Sequence, residues 1–288
     1  RSTLFPYTTL FRSLADRKYL YLLLLPVAAV LICFLAWPLL LVVWESLFVE
    51  GRLSHGNYLS LFVRKLYRES LCTSLGLSVS TAVLGTALGL PISYVIHRSR
   101  RAKGFLMALT SVPLTFSGLV VGFAFIVLLG TSGFLTLLLK RAFGIEPLEF
   151  SAFLFTWRGL IVAYLYFLIP RTILTLTVAW SNMDWSLIEA AQSLGAGRST
   201  ILLRVLLPML LPSLLSGSSL LFAVSMGAFG TAFALTGTSV KILPMVIYTQ
   251  VSDMSTDIAQ ADALAVVLTL VTTGVIVLYE RFFRPAGT

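Results

Sequence analysis

The 288 residues are 58% hydrophobic and only 11% charged, against about a quarter charged in an ordinary soluble domain; a soluble globular class is excluded and an all-α integral membrane protein is expected. A formal charge of +9 would suggest nucleic acid in a soluble chain. Here lysines and arginines gather at the ends of apolar segments, where they meet lipid headgroups, so the bilayer is the expected partner and nucleic acid is not. The two cysteines, Cys33 and Cys72, lie in or beside apolar segments without CxxC spacing and indicate neither a disulfide framework nor a metal site.

Residues 1–13 stand apart. TLFPYTTLFRS, from Thr3 to Ser13, reads as the in-frame translation of a sequencing-library adapter and is set aside, the alternative being a polar tail. From Leu14 to Thr288 the chain is expected to be one transmembrane domain. Tyr19 to Val43 is apolar, follows Arg17 and Lys18, and exceeds the roughly 20 residues that cross the hydrocarbon core, so it reads as a retained first span. Glu50 to Ser70 is mixed, with turn signals at Gly51 and Gly56 and an amphipathic piece, Tyr58 to Tyr67, suited to the membrane face. A second span runs from Leu71 to Ile96.

His97, Arg98, Arg100, Arg101 and Lys103 then crowd one short loop, which positive-inside bias places in the cytoplasm. From there the topology propagates: both termini inside, a third span at Phe105 to Leu129, a fourth at about 159–178, a fifth at Leu210 to Leu235 and a sixth at Ala261 to Tyr279, with Arg281 and Arg284 closing the chain.

Between the fourth and fifth spans lies SLIEAAQSLGAGRSTILLRVLLP, Ser186 to Pro208, too polar to join either. Ser186 and Glu189 have capping-box spacing: the hydroxyl takes the Glu189 amide and the carboxylate reaches back. Leu187, Ala191 and Leu194 share one helical face, Gly195 suits a left-handed end, Gly197 and Ser199 allow a turn and a new cap, and helix then continues to Pro208, which suits the start of a further segment.

Glu189, Ala190, Ala191, Gly195, Val205, Leu207 and Pro208 match, at every spacing, the EAA motif of binding-protein-dependent ABC importer permeases, with Val205 in place of Ile. The resemblance extends from about Arg17 to Arg284, through Asn57-Tyr58, Leu61-Phe62, Gly89-Leu90-Pro91 and Tyr94; Pro113 and Gly122 are similar to the third span of spermidine/putrescine and ferric-iron type members. It implies the MetI-like fold of six spans in the bacterial inner membrane and a coupling helix docked in a cytoplasmic ATPase dimer. A second permease, the same or a related chain, and an external solute-binding protein complete the implied assembly, with ATP and magnesium held by the ATPase. Ala190, Ala191, Gly195 and Ala196 offer a surface of little bulk, flanked by the charges of Glu189 and Arg198.

Other candidates are weaker. Pro170 and Arg171 suit a pathway or hinge, with a snorkelling arginine near the end of the fourth span as the competing reading. Small residues of the fifth span, Ser216 to Ser219, Ser225, Gly227 and Gly230, suit packing, and by family analogy Ser225 and Phe229 line the pathway. Asp253, Asp257 and Asp262 read as a solvated face rather than a cation site. With two histidines and no HExxH, GxSxG or P-loop pattern, no enzyme is expected, and ATP hydrolysis falls to another chain. The rival class, a secondary transporter or channel without an ATPase, should show intramembrane ion pairs or repeated halves, and neither is visible. A membrane enzyme ranks third. The cargo expected is a small polar or charged solute such as a polyamine, ferric ion, phosphonate or thiamine-like compound.

Overall fold

The computed structural model of the chain describes residues 17–49, 52–99, 101–237, 239–252 and 257–283. The suspected adapter residues, Arg100, Asp253 and Arg284 lie outside the described residues. In hydrocarbon the backbone finds no water, so leucine- and valine-rich runs must satisfy their own amides, and the described chain is helical almost throughout. Helix α1 (Arg17–Leu31) passes through a π turn at Ile32–Ala36 into α2 (Trp37–Ser46). Pro38 explains the turn: it brings no N–H and crowds the carbonyl four residues back, and the wider turn absorbs both effects.

A short antiparallel pair, β1 (Phe48–Val49) and β2 (Arg52–Leu53), leads to α3 (Gly56–Val63) and the long α4 (Lys65–Arg98). The amphipathic piece expected at Tyr58 to Tyr67 therefore ends early. Arg64 is extended, with ψ of 118°, and Tyr67 belongs to α4, where it is 1% exposed. Then come α5 (Lys103–Ser111), a 3-10 turn at Val112–Thr115, α6 (Gly118–Leu129), α7 (Phe134–Phe143) and α8 (Pro147–Ala152). Past a second 3-10 turn, α9 (Trp157–Ser181) precedes α10 (Ser186–Ser193) and α11 (Arg198–Ile201). A π turn at Leu202–Leu206 joins α11 to α12 (Leu207–Met226), and α13 (Phe229–Thr236), α14 (Leu243–Ser252) and α15 (Ile258–Phe283) complete the order.

Among the described residues six helical stretches are long and apolar enough to cross a membrane: Leu24–Ser46, Lys65–Arg98, Gly118–Phe143, Trp157–Ser181, Arg198–Met226 and Ile258–Tyr279. The chain is thus the all-α, six-span type expected. Two spans differ from their expected form because hydropathy averages across a break. The stretch from Phe105 to Leu129 is divided at Val112–Ser117, where Pro113 sits in a 3-10 turn and Phe116 and Ser117 are extended; Ser117 Oγ then accepts the Val120 amide at the start of α6. The stretch from Leu210 to Leu235 is divided at Gly227–Ala228. Tyr164 Oη repairs part of that second break by donating to the Ala228 carbonyl.

The core lies where α4, α9 and α12 meet. Thr172 of α9 marks how closely they pack: a Cβ on Gly89 of α4 or on Gly217 of α12 would come within 3.2 Å of its methyl carbon. Leu160, Leu168 and Leu221 are fully buried in the main apolar cluster, and α6 packs along α13. By contrast, α2 rests against α15 and leaves the apolar window of the first span unburied, a surface that only lipid or another chain can cover.

A buried amide network ties α2, α3 and α15 at one rim. Asn57 Nδ2 donates to the carbonyls of Ser46 (3.0 Å) and Phe48 (2.9 Å). Gln260, 2% exposed, donates to the Asn57 carbonyl at 3.1 Å and accepts from Ser60 Oγ at 2.8 Å. Asp257 caps α15 through the Gln260 amide, which gives this member of the acidic series a structural role.

Candidate functional site

Residues 186–208 form a short helix, a tight reversal and a re-entry into the membrane helix. The helix begins at Ser186, but the expected capping box is not made. Asp184 Oδ1 accepts both the Ser186 amide (3.0 Å) and the Ser186 hydroxyl (2.7 Å), and the Glu189 amide donates to the Trp185 carbonyl. An acceptor two residues earlier has captured both donors, so Glu189 is left exposed and free to meet another surface. These hydrogen bonds, from the hydroxyl first and the amide second, hold the Asp184 carboxyl below its usual range.

At the other end Gly195 is left-handed, with φ of 78°. Its amide donates to the Gln192 carbonyl and the Ala196 amide to the Ala191 carbonyl, the paired bonds of a Schellman ending. Gly197, not Ser199, then occupies the cap position of α11 with an extended backbone. Pro208 sits in the first turn of α12, as expected, and the stretch from Arg198 through Met226 is long and apolar enough to form one span. The π turn at Leu202–Leu206 makes room for the proline, as its counterpart does for Pro38.

The outer surface of this segment is apolar as well as charged. Leu187 is 49% exposed and Leu194 88% exposed, beside the exposed Glu189, Ala190 and Arg198; Ala191, Ala196 and Val205 are half-buried, and Leu207 and Pro208 are exposed. A leucine at 88% exposure at a helix end has no reason to sit there in the isolated chain. Behind it lies an aromatic cluster that motif reasoning missed. Trp185 stacks on His97 at 5.8 Å and on Trp180 at 6.3 Å, and Trp180 meets Tyr94 at 5.0 Å. Three tryptophan and tyrosine positions at the ends of neighbouring spans were the available signal.

The pathway candidates fall in two places. Pro170 is buried in α9, and Arg171 folds back on its own helix, its guanidinium 5.0 Å from the Phe167 ring centre and Nη1 3.4 Å from the Phe167 carbonyl. Because α9 continues to Ser181, Arg171 is ~15 Å short of its end at 1.5 Å per residue. It therefore lies in the interior of the helix. Ser225 and Phe229 flank the break in the fifth stretch. Ser225 is 4% exposed and donates to the Phe222 carbonyl, enclosed by this chain rather than lining an opening. Phe229 is half-buried in a cluster with Phe233 (5.3 Å) and Tyr248 (5.0 Å). A cavity of about 880 Å³ opens elsewhere, lined by Glu69, Cys72, Thr73, Ser80, Trp157 and Lys241 among others.

Comparison with known proteins gives this arrangement a family. Residues 82–284 match the family model described as "Binding-protein-dependent transport system inner membrane component". The chain is 30% identical over 269 residues to the probable ABC transporter permease protein y4fN of Sinorhizobium fredii, covering 93% of this chain but 46% of that protein, so it spans about half of that relative's length. It is 34% identical over 212 residues to the molybdenum transport system permease protein ModB of Mycobacterium tuberculosis, covering 70% of this chain and 78% of ModB. Its fold resembles a chain in the crystal structure of a bacterial alginate ABC transporter in complex with an alginate pentasaccharide-bound periplasmic protein, with a TM-score of 0.77 at 17% identity, over 97% of this chain and 99% of that one. With the family model spanning most of the described helices, the chain belongs to the binding-protein-dependent transport system inner membrane components, the transmembrane permease subunits of ABC importers.

Proposed function

We propose that residues 186–208 dock on a cytoplasmic ATPase and carry its ATP-driven closure to the membrane spans. The supporting observation is the exposed pair Leu187 and Leu194 on a short helix closed at both ends, set between two spanning helices and carrying the EAA spacing. Small side chains at Ala190, Ala191, Gly195 and Ala196 allow the backbone to approach a groove closely, and Glu189 and Arg198 supply charged margins. The basic loop that includes Arg98, Arg101 and Lys103 supports a cytoplasmic position for this segment and both termini in a bacterial inner-membrane protein.

The working assembly is two permeases, this chain with a copy or a relative, above two ATPase subunits that hold ATP and magnesium, with a solute-binding protein on the outer face. ATP binding closes the ATPases, the two 186–197 helices move with them, and solute passes between the permeases by alternating access. Arg171, beside the helix-weakening Pro170, and Phe229, at the break, are pathway or hinge residues in this reading. Ser225 contributes by holding the last turn before the break. The cargo is a small polar or charged solute, with selectivity set largely by the binding protein. Gly195→Asp or Glu189→Lys is expected to abolish uptake while the protein stays in the membrane; normal uptake by both variants refutes the proposal.

A further inference from the structure

We infer that Trp185 is a positioning residue that fixes the coupling helix to two membrane spans at once, an inference that rests on the coupling reading above. Only Asn182, Met183, Asp184 and Trp185 separate α9 from α10. A link of four residues without side-chain anchors would let α10 tilt about its ends, and the movement of a partner would dissipate in the loop.

The Trp185 ring removes that freedom. It lies nearly parallel to His97 of α4, at an interplanar angle of 8°, and to Trp180 of α9, at 20°. Trp180 is itself fixed: it is 3% exposed, and its Nε1 donates to Ser93 Oγ of α4 at 3.1 Å. Ser93 Oγ in turn donates to the Leu90 carbonyl at 2.8 Å. One residue along α9, Ser181 Oγ accepts from Lys103 Nζ of α5 at 3.1 Å and lies 3.4 Å from His97 Nδ1. The ends of α4, α5 and α9 therefore converge beside a single ring, and that ring belongs to the residue immediately before the coupling helix. Tilting α10 requires sliding Trp185 off two aromatic faces together. The helix, α4 and α9 consequently move as one body, and α4 and α9 meet in the core that surrounds Thr172.

The test measures rigidity within one chain of the assembled complex in lipid nanodiscs. Spin labels are placed on the native, exposed Cys72 of α4 and on Gln192→Cys of α10, with Cys33→Ser removing the other cysteine. The parent protein is expected to give one narrow distance, unchanged between the nucleotide-free and ATP–magnesium–vanadate trapped states. In Trp185→Ala the loss of two stacked pairs should raise the undocked fraction about ten-fold, seen as a second distance, whereas Trp185→Phe should restore the single one. Where the alanine protein does not assemble, Trp185→Leu, which keeps bulk without a ring face, should show the second distance. A merely structural tryptophan would lower yield without creating a second distance. A single distance in Trp185→Ala or Trp185→Leu overturns the inference, as does a parent distance that changes on trapping. Failure of any ATPase to copurify with the parent protein overturns the coupling reading instead, and this inference with it.

Discussion

Gly195 gives the sharpest energetic test of the coupling segment. Its φ of 78° lies in the left-handed region, and a Cβ added there would meet nothing within 4 Å. Replacing it with alanine thus adds no clash, and the cost is backbone strain alone, about 1–2 kcal/mol for an L-residue in that conformation. If the helix end unwinds instead, the chain loses the two Schellman bonds from Gly195 and Ala196, each worth about 1 kcal/mol net. Either route lowers the closed-to-open ratio of the helix end by a factor of roughly 5–30. Affinity for a partner that needs that end formed falls with the formed fraction, by up to that factor. Asparagine is larger than alanine yet tolerates left-handed backbone better, so the two variants separate conformation from bulk. The assay is binding of the purified ATPase subunit to the permease in nanodiscs. Gly195→Ala is expected to weaken binding by up to that factor and Gly195→Asn by clearly less. A larger loss for asparagine than for alanine would show that bulk in the docking groove decides, and wild-type binding by both would refute the role given to this helix end.

Three further outcomes follow from the geometry. Asn57→Leu removes the side-chain donor from the Ser46 and Phe48 carbonyls, while the backbone carbonyl of residue 57 still accepts from Gln260; it should cost about 2 kcal/mol, read as a lower thermal midpoint in detergent. Gly159→Ala places a methyl against the Leu154 carbonyl and Cα, so the 3-10 turn before α9 must move and the yield of monodisperse protein should fall sharply. A carboxyl whose pKa is lowered on folding stabilises the folded form above its unfolded value and loses that contribution as pH falls through the folded value. Because Asp184 is lowered from an ordinary 3.8, hydrogen-exchange protection of the Ser186 amide should persist from neutral pH to below 3.8 and then fall, with no such step in Asp184→Asn. A step above 3.8 would contradict the assignment of Asp184 as the cap.

Much of the fold could be read from the chain because bilayer physics is one-dimensional: a run such as Leu24–Ser46 is long and apolar whatever it packs against. Breaks were harder. Gly227 and Ala228 are as apolar as their neighbours, and only the Tyr164 hydroxyl, distant in sequence, shows that a free carbonyl waits there. At the coupling segment, Gly195 was legible because positive φ selects glycine, and so was the absence of bulk around it. The cap was misassigned because an ionised carboxylate is a stronger acceptor than a neutral hydroxyl, and Asp184 takes both Ser186 donors. Trp185 carried no signal as a motif; its partners His97 and Trp180 come from two different helices, and only the fold brings them together.

The central claim, that residues 186–208 engage a cytoplasmic ATPase, is tested most directly by a photo-crosslinking amino acid at Leu194, the most exposed leucine of the segment at 88%. In native membranes the account predicts an adduct with a P-loop ATPase chain, formed more strongly there than from a control position such as Leu53. Adducts with lipid alone, or with a protein on the outer face, would contradict it.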